Sequence, residues 1–270
     1  MTTEEFEILT QGHIRALIET HLHSDPASFA MNQVHNEFPV ALVSTQLKYL
    51  QKSREKLPRW YEARCIVPPR AYEQCSSEAA AALKPALSGG RCLDLTMGLG
   101  VDSAHFSRSF TQVTALEPDP VLSRVVAFNL GLMGLSNIQI IQERAEDFLE
   151  RYEGPAYDLI YADPSRRDAA GKRDASLAGG SPDVLQLLPL LLRHGRQVLL
   201  KISPLFDVEE ARRLFPGCDL MVISIGGECK ELLIRLPGTQ QLEIRLGGKD
   251  TRTYTYPSTP PASPIPLTPP

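Results

Sequence analysis

The 270-residue chain is short of several things whose absence narrows what it is. Its five cysteines, Cys65, Cys75, Cys92, Cys218 and Cys229, contain no CxxC pair and no Cys/His set at zinc spacing. That excludes a disulfide-stapled secreted scaffold and a zinc ribbon, and reads as reduced thiols in a cytoplasmic protein. Among the six histidines only His21 and His23 stand close, at the end of a predicted helix, so no metal site is expected. There is no excess of positive charge: 28 Lys and Arg face 32 Asp and Glu, for a formal net charge of −4. A uniformly basic nucleic-acid coat is excluded, whereas a local basic patch is not. No long apolar run exists either. The stretch around Leu185 to Leu192 is broken by Gln186 and Pro189 and is too short to span a bilayer. The N-terminus, MTTEEFEILTQG, is acidic and lacks the apolar segment of a signal peptide. What is present, 43% hydrophobic residues, is ordinary globular usage, and the length fits one to two domains.

Charge is distributed unevenly. From Thr2 to Val40 six acids face one base, Arg15; from Ser44 to Arg70 seven bases face two acids, with Tyr49, Trp60 and Tyr61 interleaved. Apolar spacing at Phe6, Leu9, Ile14, Leu17 and Ile18, then at Val40, Val43, Leu47 and Leu50, is helical. A helical N-terminal lobe is therefore expected over residues 1–70, left at Pro68-Pro69. The basic stretch 44–70 can track a nucleic-acid backbone and stack bases, or it is a solvated helix face with Trp60 packed inside.

From about Ala71 helical and strand patterns alternate: RCLDLT, TQVTALE, NIQIIQE, YDLIYAD, RQVLLKIS, CDLMVISI and KELLIRL as strands, with helices between the first six. Strands alternating with short helices imply βαβ units and a parallel sheet, which gives an α/β domain over 71–240. Residues 241–270 are expected to be a Pro-rich tail, since the last 20 residues hold seven prolines. It is read as solvated chain, with a docking peptide as the alternative.

Three segments carry chemistry. Cys92-Leu93-Asp94-Leu95-Thr96-Met97-Gly98-Leu99-Gly100-Val101-Asp102 is an apolar strand ending in an acid, a bend with two glycines, then a helix. Glycine permits unusual φ and close approach of backbone to a ligand, and the carboxyl end of the first strand is where open α/β sheets bind ligands. Glu117 closes the next strand, 23 residues after Asp94. An acid there accepts ribose hydroxyls; alternatively it caps the helix at Pro118. The third is Tyr157 to Asp168, an apolar strand ending in Asp163-Pro164-Ser165-Arg166-Arg167.

Asp94 to Gly100, Glu117 and Asp163-Pro164 together resemble the class I S-adenosylmethionine-dependent methyltransferases. The resemblance implies a Rossmann-like, doubly wound, seven-stranded and mostly parallel sheet whose last strand is antiparallel. It implies S-adenosyl-L-methionine as cofactor, held by Asp94, Thr96, Gly98, Gly100, Asp102, Glu117, Ala145 and Asp163. The acid often found past the third strand of that family is represented here by Arg144, flanked by Glu143 and Glu146. Glu73-Gln74-Cys75-Ser76-Ser77-Glu78, the Asp163 to Asp168 block, Lys201-Ile202-Ser203-Pro204 and Glu228 to Leu232 are similar to bacterial methyltransferases with a C-terminal THUMP-like domain. In this chain the Pro-rich tail stands where that part would begin.

The resemblance implies methyl transfer, with RNA (rRNA or tRNA) as the acceptor. Transfer to nitrogen needs mainly alignment of the acceptor lone pair. Asp163, Pro164 and Arg166 are the candidate catalytic residues, and Arg166, Arg167, Lys201 and Ser203 the candidate substrate contacts. The cations of 166–173 can touch phosphates beside the acceptor, or pair with Asp168 and Asp174 in a solvated loop. Asp-Pro-Ser-Arg lacks the aromatic that usually stacks on a base amine. Carbon-5 pyrimidine transfer would need a cysteine nucleophile; Cys229, after the sixth strand, is the candidate, with a structural thiol as its other reading. A methyltransferase for a small molecule or protein, and a silent cofactor-binding module, are the alternative functions. A nicotinamide-binding domain fits less well, because GxGxxG is missing.

Overall fold

The computed structural model describes residues 1–32, 38–165, 180–248 and 251–256. They form an α/β protein in two compact units, Met1–Glu153 and Gly154–Pro270. The first unit opens with α1 (Thr3–Thr10), α2 (Gly12–Thr20), α3 (Pro26–Asn32), α4 (Val40–Lys56), α5 (Pro58–Glu62), α6 (Pro69–Gln74) and α7 (Glu78–Ala82). Then β1 (Gly89–Asp94), α8 (Val101–Phe106), β2 (Phe110–Leu116), α9 (Pro120–Leu132), β3 (Ile138–Ile141) and α10 (Ala145–Arg151) alternate. Its three strands are parallel, in the order β3-β2-β1.

Local chemistry starts these helices where the pattern predicts. At α1, Thr2 Oγ1 accepts from the Glu5 N–H at 3.1 Å while the Glu5 carboxylate accepts from the Thr2 N–H at 2.7 Å, a closed capping box. At α9, Asp119 accepts from the N–H groups of Val121 and Leu122, and Pro120 takes the first turn, where its missing donor costs nothing. Pro69 likewise opens α6, so the chain re-enters helix after Pro68.

The helices of 1–70 share a core with the alternating segment. Ile14, Leu47, Leu50, Trp60 and Ile66 bury in one apolar cluster with Leu99, Val101 and Val125. Two buried amides tie the extended stretch between α5 and α6 into it. Gln46 on α4 donates to the Cys65 carbonyl at 2.9 Å and accepts from the Val67 N–H at 3.0 Å. Asn129 on α9 accepts from the Ile66 N–H at 2.9 Å and donates to the Ile66 carbonyl at 2.8 Å. The N–H groups of Ile66 and Val67 and the carbonyls of Cys65 and Ile66 thus find partners that a sheet would otherwise supply.

The second unit contains β4 (Leu159–Ala162), α11 (Val184–His194), β5 (Val198–Ile202), α12 (Val208–Leu214), β6 (Asp219–Ile225), β7 (Glu228–Leu236), β8 (Leu242–Gly247) and β9 (Arg252–Tyr256). The order is β4-β5-β7-β6-β8-β9. β4 and β5 are parallel, and β7 runs antiparallel between β5 and β6. Two strands more are present than the seven expected: β8 pairs parallel with β6, and β9 antiparallel with β8. They fall inside 241–270. Leu242, Ile244 and Leu246 alternate with charges, and Arg252-Thr253-Tyr254-Thr255-Tyr256 is rich in β-formers; the prolines begin only at Pro257, beyond the described residues. Among the described residues no helix is long and apolar enough to cross a membrane.

Candidate functional site

In the first unit β1 ends on Asp94, which is fully buried. One of its oxygens accepts from the Thr96 N–H at 3.0 Å and the other from the Ser103 hydroxyl at 2.5 Å. The bend between β1 and α8 then turns through two left-handed glycines, Gly98 at φ +53° and Gly100 at φ +83°. They differ in why glycine is needed. A Cβ on Gly100 would meet Val126 Cγ1 at 3.0 Å, whereas at Gly98 only the Thr96 carbonyl comes within 4 Å, leaving open space in front of the bend.

Glu117 follows β2 and is 8% exposed. Its two oxygens accept from the N–H groups of Gly98 at 3.0 Å and Asp119 at 2.9 Å. Burial pushes its carboxyl above the usual range, and these two donors pull against that shift. The carboxylate thus anchors the glycine bend directly. Each oxygen uses one lone pair on the backbone and keeps acceptor capacity for a ligand hydroxyl.

The other predicted cofactor residues divide. Thr96 lies half-buried in the bend and serves Asp94 through its backbone. Ala145 is the buried first residue of α10. Asp102, in the first turn of α8, accepts from Lys84 Nζ at 2.5 Å and from the Ser76 hydroxyl at 3.2 Å. The Lys84 side chain is 0% exposed and that of Asp102 11%, so this pair braces the start of α8. Past β3, Glu143 is taken by Arg151 at 2.8 Å and Arg144 lies 3.5 Å from Glu146. Beside Lys84, His105 is driven down to about 4, by burial first and the Lys84 charge second.

In the second unit Asp163 and Pro164 follow β4 directly, and Asp163 forms an ion pair with Lys201 on β5. Their side chains are 31% and 14% exposed. Ser203, just past β5, is buried and accepts from the Leu205 N–H at 3.1 Å. Ser165 and Ser181 exchange two backbone hydrogen bonds, of 2.9 and 3.2 Å. Arg166, Arg167 and the rest of 166–173 lie outside the described residues. Cys229 is exposed on the β6–β7 hairpin, and desolvation raises its thiol, the reverse of what an activated nucleophile needs. Among the described residues no group of three His, Cys, Asp or Glu side chains is arranged to hold a metal.

The basic stretch 44–70 is partly spent inside the first unit. Lys52 pairs with Glu73 at 3.5 Å, Lys56 donates to the Tyr72 carbonyl at 2.6 Å, and Arg64 pairs with Glu19 at 2.7 Å. Trp60 is 1% exposed and stacks on no ligand from there. Lys48, Arg54 and Arg70 remain on the surface, with Lys52.

Ser103 and Lys84 were not among the residues the motifs singled out. Ser103 lies in the first turn of the helix after the glycine bend, where a hydroxyl can reach back to the strand-end acid. Lys84 is the sole charge in the nine residues from Ala79 to Leu87, an odd place for a cation unless it is paired.

A family model described as "Conserved hypothetical protein 95" matches residues 77–173, a span that includes Asp94, Glu117 and Asp163. A Thermotoga maritima protein named "Uncharacterized RNA methyltransferase" is 30% identical over 124 residues. That alignment covers 43% of this chain and 28% of the relative, so the chain matches little more than a quarter of that protein's length. The crystal structure of a candidate methyltransferase from Porphyromonas gingivalis W83 superposes with a TM-score of 0.77 at 24% identity, covering 96% of this chain and 67% of that one. The chain is therefore similar to that protein in fold, an α/β Rossmann-like fold with a mostly parallel sheet.

Proposed function

We propose that the chain is an S-adenosylmethionine-dependent methyltransferase that acts on a base in RNA by direct transfer to nitrogen. The observation that carries the reading is the glycine bend held by Glu117. A buried carboxylate that spends one lone pair per oxygen on backbone, next to a glycine with open space before it, suits a ribose diol approaching the bend. Asp94, fixed by Thr96 and Ser103, supplies negative charge for the cationic end of the cofactor. When bound, the cofactor supplies a methyl group already electrophilic on its sulfonium.

Asp163 is assigned the acceptor: its carboxylate takes the N–H of the target amine and turns the nitrogen lone pair outward, and Pro164 stiffens the chain that follows. Exposed Lys48, Arg54 and Arg70, and the cations of 166–173, are assigned to phosphates. The name of the Thermotoga relative supports RNA over other acceptors. A smaller acceptor is favoured by one observation, the use of Lys52, Lys56 and Arg64 in internal pairs.

Titration calorimetry with S-adenosylmethionine and its demethylated product tests the first half. Heat of binding is expected from the parent, reduced about tenfold to a hundredfold in affinity in Glu117→Gln, as loss of charge-assisted hydrogen bonds of roughly 1.5–3 kcal/mol implies. No heat from folded parent protein sinks the reading. Labelled cofactor with total RNA from cells lacking the gene then tests the acceptor. Transfer to RNA, with binding that weakens steeply with salt, supports it; transfer only to small molecules or protein selects the alternative.

A further inference from the structure

The turn after β5 presents an apolar side chain to which nothing above gives a role. Leu205 is 89% exposed, the highest value of any large apolar side chain among the described residues. A single exposed leucine is ordinary on a protein surface; Leu205 differs in how it is held and where. Pro204 precedes it with φ already set, and the Ser203 carbonyl accepts from the Phe206 N–H at 3.0 Å, closing a four-residue turn around the pair. The hydroxyl of Ser203, a buried residue, accepts from the Leu205 N–H itself at 3.1 Å. Beyond the turn, Asp207 starts α12 by accepting from the Glu210 N–H at 2.8 Å. Leu205 therefore stands on backbone that is fixed on both sides.

Its place is the edge of the sheet that carries Asp163. β4 and β5 are parallel, with Tyr161 facing Leu199 and Ala162 facing Leu200, so Asp163 and the Ser203–Phe206 turn both leave the sheet at its carboxyl edge. Open α/β sheets bind ligands there. Lys201, four residues before Leu205, forms the ion pair with Asp163. One edge thus offers a carboxylate and a cation that water reaches, together with a fixed apolar side chain. A nucleobase matches that combination: its amine and ring nitrogens lie in the ring plane, and its face is apolar and flat. Asp163-Pro164-Ser165-Arg166 contains no aromatic to cover such a face.

We propose that Leu205 is a substrate-contact residue that packs on the face of the acceptor base while Asp163 takes the base's amine. This rests on the reading of the chain as a base methyltransferase and adds the apolar contact that reading lacks.

Initial rates with total RNA from cells lacking the gene, and fluorescence with the same RNA, test it on the full chain. Leu205→Ala should raise the KM for RNA at least about fivefold, as loss of an apolar contact to one base implies, and leave kcat, cofactor affinity and melting temperature as in the parent. Leu205→Phe, which restores an apolar face, should return the KM to the parent value or below it. Trp60 is the sole tryptophan and is 1% exposed, so an indole introduced by Leu205→Trp reports against a constant background. RNA should quench the introduced indole and leave the emission of the parent unchanged. A parent KM in Leu205→Ala overturns the proposal, as does an introduced indole that saturating substrate RNA leaves unquenched. If the parent methylates RNA and the variants behave like it, the contact alone fails. If the parent binds cofactor yet methylates no RNA, the RNA reading fails and takes the contact with it.

Discussion

The molecule contains the same ion pair twice, in different settings. In the first unit Lys84 meets Asp102 with side chains 0% and 11% exposed; in the second Lys201 meets Asp163 at 14% and 31%. Lys84 comes from just beyond α7 and Asp102 from the first turn of α8, so their pairing joins two helices behind the glycine bend. Lys201 and Asp163 come from the carboxyl ends of neighbouring parallel strands, where open α/β sheets present groups to ligands. Burial separates their roles. A charge that water cannot reach serves the fold, because its partner is all that makes it tolerable; a charge that water reaches can exchange that water for a substrate.

The largest expected effect tests the buried pair. Lys84→Met replaces the ammonium with an apolar side chain of similar length and leaves Asp102 in its pocket with Ser76. Removing one partner of a buried pair costs about 3–5 kcal/mol. Chemical denaturation of the variant should show a loss of that size. A loss below about 1 kcal/mol, the range of surface pairs, would erase the contrast between the two pairs.

A smaller effect follows from His105, beside the same lysine. Its folded value of about 4 lies below the ordinary histidine value of 6.5. The unfolded chain therefore takes up a proton on this residue before the folded one does. Its contribution to stability is complete above pH 6.5 and is lost as pH falls from there toward 4, by on the order of 2–3 kcal/mol. Melting curves from pH 7 to 4 should lose this slope in His105→Gln. If both proteins track each other, His105 is not driven down by its burial and the Lys84 charge as described.

The sequence made the strands, the glycine bend and the three acids readable, because each is local. Short, nearly continuous apolar runs end on Asp94, Glu117 and Asp163, and glycines mark where φ must be positive. The partners of those acids were not readable. Ser103 meets Asp94 only once α8 has formed, Lys201 meets Asp163 through strand register, and Lys84 crosses from one helix to another to reach Asp102. Such contacts depend on tertiary placement, which residue spacing does not encode. β8 and β9 were hidden for a different reason: the prolines from Pro257 onward coloured the reading of the whole of 241–270, although β8 precedes the last 20 residues and β9 lies at their start. In 44–70 two readings stood open from the sequence, and the fold encloses Trp60, as one of them expected, while Lys48 and Arg54 stay outside.

The smallest expected effect on stability belongs to the exposed pair. Asp163→Asn keeps the shape and removes the charge of the more exposed partner. With nearly a third of its side chain in water, the ion pair is screened, and its loss should cost less than about 1 kcal/mol. Turnover should respond very differently, because an amide can turn its NH2 toward the acceptor and no longer presents two acceptor oxygens. A variant that melts like the parent and binds cofactor like the parent, yet transfers methyl groups at least about a hundredfold more slowly, is what a positioned acceptor-binding group predicts. Full activity with unchanged stability would instead make Asp163 a surface residue at a strand end, and the two lysine–aspartate pairs would no longer differ in purpose.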